Sequence, residues 1–318
     1  MKLVSTVLFA VSFVVPQSLA LAATAEHSPK LDTPTGQLAG TLLIAENNNG
    51  KHSEHIALII AGSGPTDRNG NNPMMRNNSL KMLAESLAGE GISSLRYDKR
   101  GIGESAGAAI AESDLRFEDY INDAKLWVDF LSTEHPNKRI TIAGHSEGAL
   151  IGAVVAQASS VDKFVSLAGA GRSIDKVLRE QLNAQPAIVS QSAIPIIDSL
   201  LAGKTVGDVP TFLTALFRKS VQPYLISWFA YSPQKVIAKL HKPVLIVQGT
   251  TDIQITQQDA KMLAAANPKA KLVMIDNMNH IFKQAPSERT ANIATYSQPD
   301  LPIAPGLIEV VANFIKQN

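Results

Sequence analysis

The residues best suited to chemistry centre on Ser146. Gly144-His145-Ser146-Glu147-Gly148 reads G-x-S-x-G, with a short apolar β-type run entering it and an Ala- and Leu-rich, helix-suited run leaving it. In a strand–turn–helix setting this pentapeptide makes a nucleophile elbow, whose strained turn holds the serine hydroxyl clear of the sheet edge. Only small residues at Gly144 and Gly148 let strand and helix approach closely enough. A serine hydroxyl is a poor nucleophile at neutral pH. It needs a base to take its proton, and that base needs an acid to orient it. Downstream the chain offers Asp252, in a turn after an apolar run, and then His280, in a loop after another. The order Ser, acid, His at strand ends is the order that acyl transfer on an open α/β sheet uses.

The elements that must position these residues alternate strand and helix, after a polar stretch, His27 to Thr35, that reads as a mobile lead. Gly36 to Ala45 and His55 to Ala61 read as strands joined by a hairpin turn at Asn47-Asn48-Asn49-Gly50, since Asn-Gly between apolar runs is a strong turn signal. Ile56 to Ile60 is continuously apolar, as suits a central strand buried on both faces. It runs into a loop dense in glycine and polar residues, Ala61 to Gly70. A helix follows from Ser79, the expected N-cap, to Leu87. Then come a strand at Ile92 to Tyr97 and a second glycine-punctuated loop, Asp98 to Ser105. Phe117 to Leu131 carries apolar residues at helical spacing, so one face packs on the sheet. Phe164 to Ala168, Pro243 to Gln248 and Lys271 to Ile275 read as strands, Gln257 to Ala266 and Ile308 to Ile315 as helices, and Ala291 to Pro305 as a loop.

This alternation predicts an α/β fold with a mostly parallel central sheet flanked by helices, and sites in such sheets lie beyond the C-terminal strand ends. The rhythm breaks at 172–239, which reads as an inserted helical cap; 26–171 and 240–318 form the core. Phe217, Tyr224 and Trp228 of the cap are the candidates for an apolar pocket over Ser146.

The chain has 318 residues, 45% of them hydrophobic, enough to bury a large core in one domain with an insertion. A formal charge of +1 without basic or acidic runs gives no sign of nucleic-acid binding. Residues 1–25 read as a secretory signal: Lys2 starts it, Leu3 to Val15 is uncharged and mostly apolar, and Pro16 breaks the helix. Cleavage is expected after Ala22, with Ala25 as the second choice. Pro16, Gln17 and Ser18 interrupt the apolar run, which argues against a lasting membrane span. The expected location is therefore secreted or periplasmic. The absence of cysteine excludes disulfides, a lipoprotein anchor, zinc–thiolate sites and a cysteine nucleophile. The histidines lack metal-binding spacing, and Gly101 and Gly103 do not complete a dinucleotide fingerprint, so no metal or cofactor is expected.

Taken together, the Gly62-Ser63-Gly64-Pro65 loop, Asp98-Lys99-Arg100-Gly101-Ile102-Gly103-Glu104-Ser105, the elbow, Gly249-Thr250-Thr251-Asp252 and Asn279-His280 resemble the α/β-hydrolase superfamily. Within it they resemble the serine esterases and serine aminopeptidase-like hydrolases with a helical cap. Ala61-Gly62 departs from the His-Gly that many members carry there. The resemblance implies the α/β-hydrolase fold and hydrolysis of an ester, thioester or amide of a small-molecule substrate. In it Ser146 attacks, His280 moves the proton, and Asp252 orients the imidazole. The backbone N–H groups of Glu147 and Ser63 hold the oxyanion, with Gly64 the alternative to Ser63. Asp276 is the competing acid, past the wrong strand. His145 should point away from the reacting face, and Asp67, Arg68, Asp98 and Arg100 should form an ionic network bracing the two loops. A carboxylesterase using an acyl-enzyme is the leading expectation. The alternatives are an aminopeptidase-like or thioesterase activity, or a non-catalytic binding protein on the same fold.

Overall fold

A computed structural model describes residues 24–46 and 53–317. The Asn47–Gly50 turn and all but the end of the 1–25 segment lie outside the described residues. Strands β1 (Thr24–His27), β2 (Lys30–Thr33), β3 (Gly36–Ala45), β4 (His55–Ile60), β5 (Ser93–Tyr97), β6 (Arg139–His145), β7 (Lys163–Leu167), β8 (Val244–Gly249) and β9 (Lys271–Ile275) form one nine-stranded sheet. Its order is β1-β3-β5-β4-β6-β7-β8-β9, with β2 also on β3. From β5 through β9 every pairing is parallel; β1, β2 and β5 pair with β3 antiparallel.

Two expectations fail here. Residues 27–35 are not a loose lead: β1 and β2 lie on β3, and the Gly40 amide donates to the Pro29 carbonyl. These edge strands are mostly exposed, so they need backbone pairing rather than an apolar pattern. Nor do β3 and β4 form a hairpin, because β5 lies between them. A turn signal is local and cannot report a strand inserted from later in the chain.

The central strand shows how sequence becomes layers. Along β4 successive side chains point to opposite faces. Ile56, Leu58 and Ile60 join one apolar cluster, while Ala57 and Ile59 join another. Helices α2 (Phe117–Glu134) and α3 (Glu147–Val155) cover the first face; α1 (Ser79–Gly89) and α11 (Leu307–Lys316) cover the second. Each fully buried Ile or Leu on β4 contributes about 1.5–3 kcal/mol relative to exposure. Ser79 is the first helical residue of α1 rather than its cap; Asn78, in a left-handed conformation, precedes it.

Between β7 and β8 run α4 (Ile174–Asn183), α5 (Ala187–Leu201), α6 (Thr214–Phe217), α7 (Gln222–Phe229) and α8 (Pro233–Ile237). The last of these packs on α3 and on α9 (Gln257–Ala266), as a crossover helix does. The others share the apolar cluster of α2 and α3. The stretch expected as a loop at 291–305 begins inside α10 (Arg289–Ala294), whose first amides donate to the Glu288 carboxylate. No helix among the described residues is long and apolar enough to cross a membrane.

Register carries the functional loops to one edge. Ile60 pairs with Gly144, His145 with Leu167, Leu167 with Val247, and Gly249 with Ile275. The segments after β4, β6, β8 and β9 therefore all leave from the same end of the sheet.

Candidate active site

Ser146 sits between β6 and α3 with φ 54° and ψ −118°, a conformation rare for a residue with a side chain. The crowding that enforces it is measurable at the flanking glycines. A Cβ on Gly144 would lie 2.2 Å from the Gly148 carbonyl oxygen, and one on Gly148 would lie 2.4 Å from that of Ile60. The Ser146 amide donates to Leu167 across the sheet at 3.0 Å, which fixes the turn from below. As the first residue of α3, Glu147 has an amide with no partner in its own helix.

His280, in the loop after β9, is buried, and its Nδ1 lies 2.8 Å from Asp252 Oδ2. The same oxygen accepts from Gln248 Nε2 at 2.9 Å, and Oδ1 accepts from the amides of Gln254 and Ile255. Burial alone would raise the Asp252 carboxyl. The charge and hydrogen bond of His280, with the two amides, outweigh it and hold Asp252 below the ordinary carboxylate range. With Nδ1 occupied, Nε2 is the free nitrogen of His280. His280 and Ser146 border the same small cleft. Asp276 is exposed and takes no part.

His145 does not turn fully away from the site: it packs against His280 and borders the small cleft that His280 shares with Ser146. Its Nε2 is 2.9 Å from the His280 carbonyl oxygen, so this nitrogen carries the proton and donates. Its ring packs 4.8 Å from that of His280 and edge-on to Phe282. Burial, helped by the neighbouring His280, pushes the imidazole down to about 3, so it is neutral at physiological pH. The elbow thus anchors the loop that carries His280.

The loop after β4 brings Ser63 alongside. A Cβ on Gly62 would stand 3.2 Å from Ser146 Cβ, which shows how closely this backbone passes the serine. Lys99 Nζ donates to the Gly62 carbonyl at 2.6 Å and to Glu147 Oε2 at 2.9 Å, and it rides 4.8 Å above the Tyr120 ring centre. The other Glu147 oxygen accepts the Tyr224 hydroxyl from α7. The Lys99 and Glu147 side chains are only 1% and 2% exposed. One buried ion pair therefore ties the Ser63 loop, the elbow helix and the helical insertion together. The Glu147 side chain is structural in this arrangement, and its backbone faces the serine turn.

The expected loop network is partly rewired. Arg68 Nε and Nη2 reach Asp98, and Nη2 also reaches Glu104. Arg100 instead pairs with Asp123 of α2, and Asp67 accepts the amides of Asn69 and Asn71 within its own turn.

A cavity of about 490 Å³ opens over Ser146, bordered by Ser63, Glu147, Tyr224 and Trp228. Phe217 does not border it; its ring is wholly buried within the insertion. Two arginines reach the wall, each already paired: Arg172 with Asp259 at 2.7 Å and Arg218 with Glu112 at 2.8 Å. Among the described residues no group of three His, Asp or Glu side chains could hold a metal ion. Sequence reasoning missed Lys99, Gln248 and the Glu147–Tyr224 link. Gln248 did leave a signal, as the one polar side chain in the apolar run Val244 to Gln248. Lys99 left none, because its partner is brought to it only by the sheet.

Comparison with known proteins adds an independent view. A family model described as serine aminopeptidase, S33, matches residues 77–206. The chain is similar to Esterase EstD of Thermotoga maritima, at 25% identity over 238 residues, covering 71% of this chain and 54% of that protein. It thus spans about half the length of this curated relative. Its structure is similar to that of an esterase from Pyrococcus furiosus, with TM-score 0.58 and 17% identity over 96% of this chain and 94% of that one. Est1E of Butyrivibrio proteoclasticus, solved with ferulic acid, gives TM-score 0.56 and 17% identity over 91% and 96%.

Proposed function

We propose that this chain, which has the α/β-hydrolase fold, is an exported serine carboxylesterase. The observation that carries the reading is a strained Ser146 sharing a cleft with His280, whose other nitrogen is held by buried Asp252. In the reaction Ser146 Oγ attacks the ester carbonyl while His280 Nε2 takes its proton, and Asp252 keeps the imidazole in the tautomer that can do so. The tetrahedral oxyanion accepts from the amides of Glu147 and Ser63, each such donor being worth about 3 kcal/mol. Collapse breaks the C–O bond to the alcohol, which leaves with the proton from His280. Water then repeats the steps on the acyl-Ser146 ester and releases the acid.

The aminopeptidase-like alternative needs a free carboxylate for a substrate ammonium. The two carboxylates that border the cavity are already matched, Glu112 by Arg218 and Glu147 by Lys99. Purified protein is expected to hydrolyse p-nitrophenyl butyrate but not aminoacyl p-nitroanilides, and Ser146→Ala to abolish turnover. Anilide cleavage, or full ester turnover by Ser146→Ala, would overturn the reading.

For export, the pairing of β1 favours cleavage after Ala22. Thr24 and Ala25 pair with Ala45 and Ile44, and a cut after Ala25 removes both pairs. N-terminal sequencing of exported protein reads this directly; a start at Glu26 contradicts it.

A further inference from the structure

We propose that the acyl group lies in the large cavity and the alcohol in a second, more polar cleft, so that the substrates are apolar acyl esters of short, hydroxyl-bearing alcohols. This rests on the esterase reading and extends it to the substrate class.

Two spaces meet at the nucleophile. The large cavity of about 490 Å³ and a smaller cleft of about 130 Å³ share Ser63, Ser146 and Gln254. Their walls differ. The large one is faced by Leu150, Ile174, Val177, Leu216, Leu225 and Trp228. The small one mixes Thr66, Asn72, Asn77 and Tyr296 with Met75 and Ile281, and carries His145 and His280. His280 borders the small cleft and not the large cavity.

That asymmetry decides which half of the ester goes where. When the tetrahedral intermediate collapses, the C–O electron pair leaves on the alcohol oxygen. That oxygen must take the proton from His280 Nε2, within hydrogen-bond reach of about 3 Å. The alcohol therefore departs through the cleft that His280 borders, and the acyl substituent occupies the opposite, apolar side of the carbonyl carbon.

The cleft's hydrogen-bonding groups indicate what sort of alcohol. Tyr296 OH accepts from Gln254 Nε2 at 3.1 Å and keeps its own proton to donate. Asn72 Oδ1 accepts from the Met74 and Met75 amides, and Asn77 Oδ1 accepts from the Ser79 amide. With both carbonyl oxygens committed to the backbone, the Nδ2 groups remain as donors. A cleft this small, carrying several donors, suits an alcohol with additional hydroxyl oxygens, whereas an alkyl alcohol would displace their water without replacing its bonds.

The test uses hexanoate esters of equal size, 2,3-dihydroxypropyl hexanoate against pentyl hexanoate. Wild-type protein should show kcat/KM about tenfold higher for the hydroxylated ester, the size of effect that one net hydrogen bond supplies. Tyr296→Phe, or Asn72→Asp, which keeps the acceptor and loses the donor, should shrink this ratio to about threefold or less. Leu216→Trp should lower hexanoate relative to acetate turnover by about tenfold or more and leave the alcohol ratio in place. Equal or inverted alcohol preference in the wild type overturns the assignment, as does a Leu216→Trp variant that changes the alcohol ratio but not acyl selection. Absence of all ester turnover, with Ser146 unreactive, instead overturns the esterase reading on which the assignment stands.

Discussion

Replacing Lys99 with methionine attacks the ion pair that joins the Ser63 loop, the elbow and the helical insertion. Its Nζ lies 2.9 Å from Glu147 Oε2, and both side chains are shielded from water. At an effective dielectric of 20 the gross attraction at this distance is roughly 6 kcal/mol, and removing one partner of such a buried pair costs about 3–5 kcal/mol. Lys99→Met alone should therefore lose most of that in a urea unfolding titration. The double variant Lys99→Met/Glu147→Gln leaves no uncompensated charge, and the introduced carboxamide can still accept the Tyr224 hydroxyl, so stability should return to within about 1–2 kcal/mol of wild type. Activity should not return with it. The Gly62 carbonyl still lacks the 2.6 Å tether from Lys99, and Ser63, the next residue, is left less firmly placed. Loss of one oxyanion donor costs about 10²–10³ in kcat, so a loosened one should cost about tenfold or more, with KM little changed. Wild-type kcat in the folded double variant would refute the positioning role. A loss of less than about 1 kcal/mol in Lys99→Met would refute the buried-pair reasoning.

Asp252→Asn removes the charge that orients His280 and should lower kcat about 10³–10⁴-fold at pH 7 with a near-normal melting curve; a fall below tenfold rejects the assignment. Gly148→Ala places a methyl 2.4 Å from the Ile60 carbonyl oxygen and 2.6 Å from that of Ala61. It should cost on the order of 3 kcal/mol and most of the soluble yield, read by thermal melting. Lys283 is buried, donating to the Leu301 carbonyl. Burial pushes its ammonium down to about 8, while the unfolded value is about 10.4. Above pH 8 the unfolded chain thus binds more protons, and stability should rise with pH toward 9.5; Lys283→Met should flatten that rise in urea midpoints taken from pH 7.5 to 9.5.

What the sequence disclosed follows the physics of each signal. Strands β4, β6 and β8 are legible because buried parallel strands are continuous apolar runs, β9, a half-buried edge strand, by its short apolar run, and α9 because Thr256 caps it with Asp259 in return. β1 and β2 are not, since an exposed edge is held by backbone bonds that leave no side-chain pattern. The strand order around β3 escapes for a related reason: Asn-Gly marks a turn and is silent about β5. At the site, Ser146, Asp252 and His280 are legible as an ordered set at strand ends, and the structure brings His280 to Asp252 rather than to Asp276. Lys99 and Tyr224 converge on Glu147 from distant segments, so no spacing announces them. Phe217 shows the converse limit. Aromatic residues in an amphipathic segment are recognisable, but which of them faces a cavity depends on packing that only the fold decides.

The esterase reading stands or falls with Ser146 as an activated nucleophile. Intact-mass and peptide mapping after treatment with a fluorophosphonate tests it most directly. One adduct per chain is expected, on the peptide containing Ser146, formed far more slowly in His280→Ala and absent in Ser146→Ala. Folded wild-type protein that takes no label at Ser146, or labels equally well without His280, would contradict it.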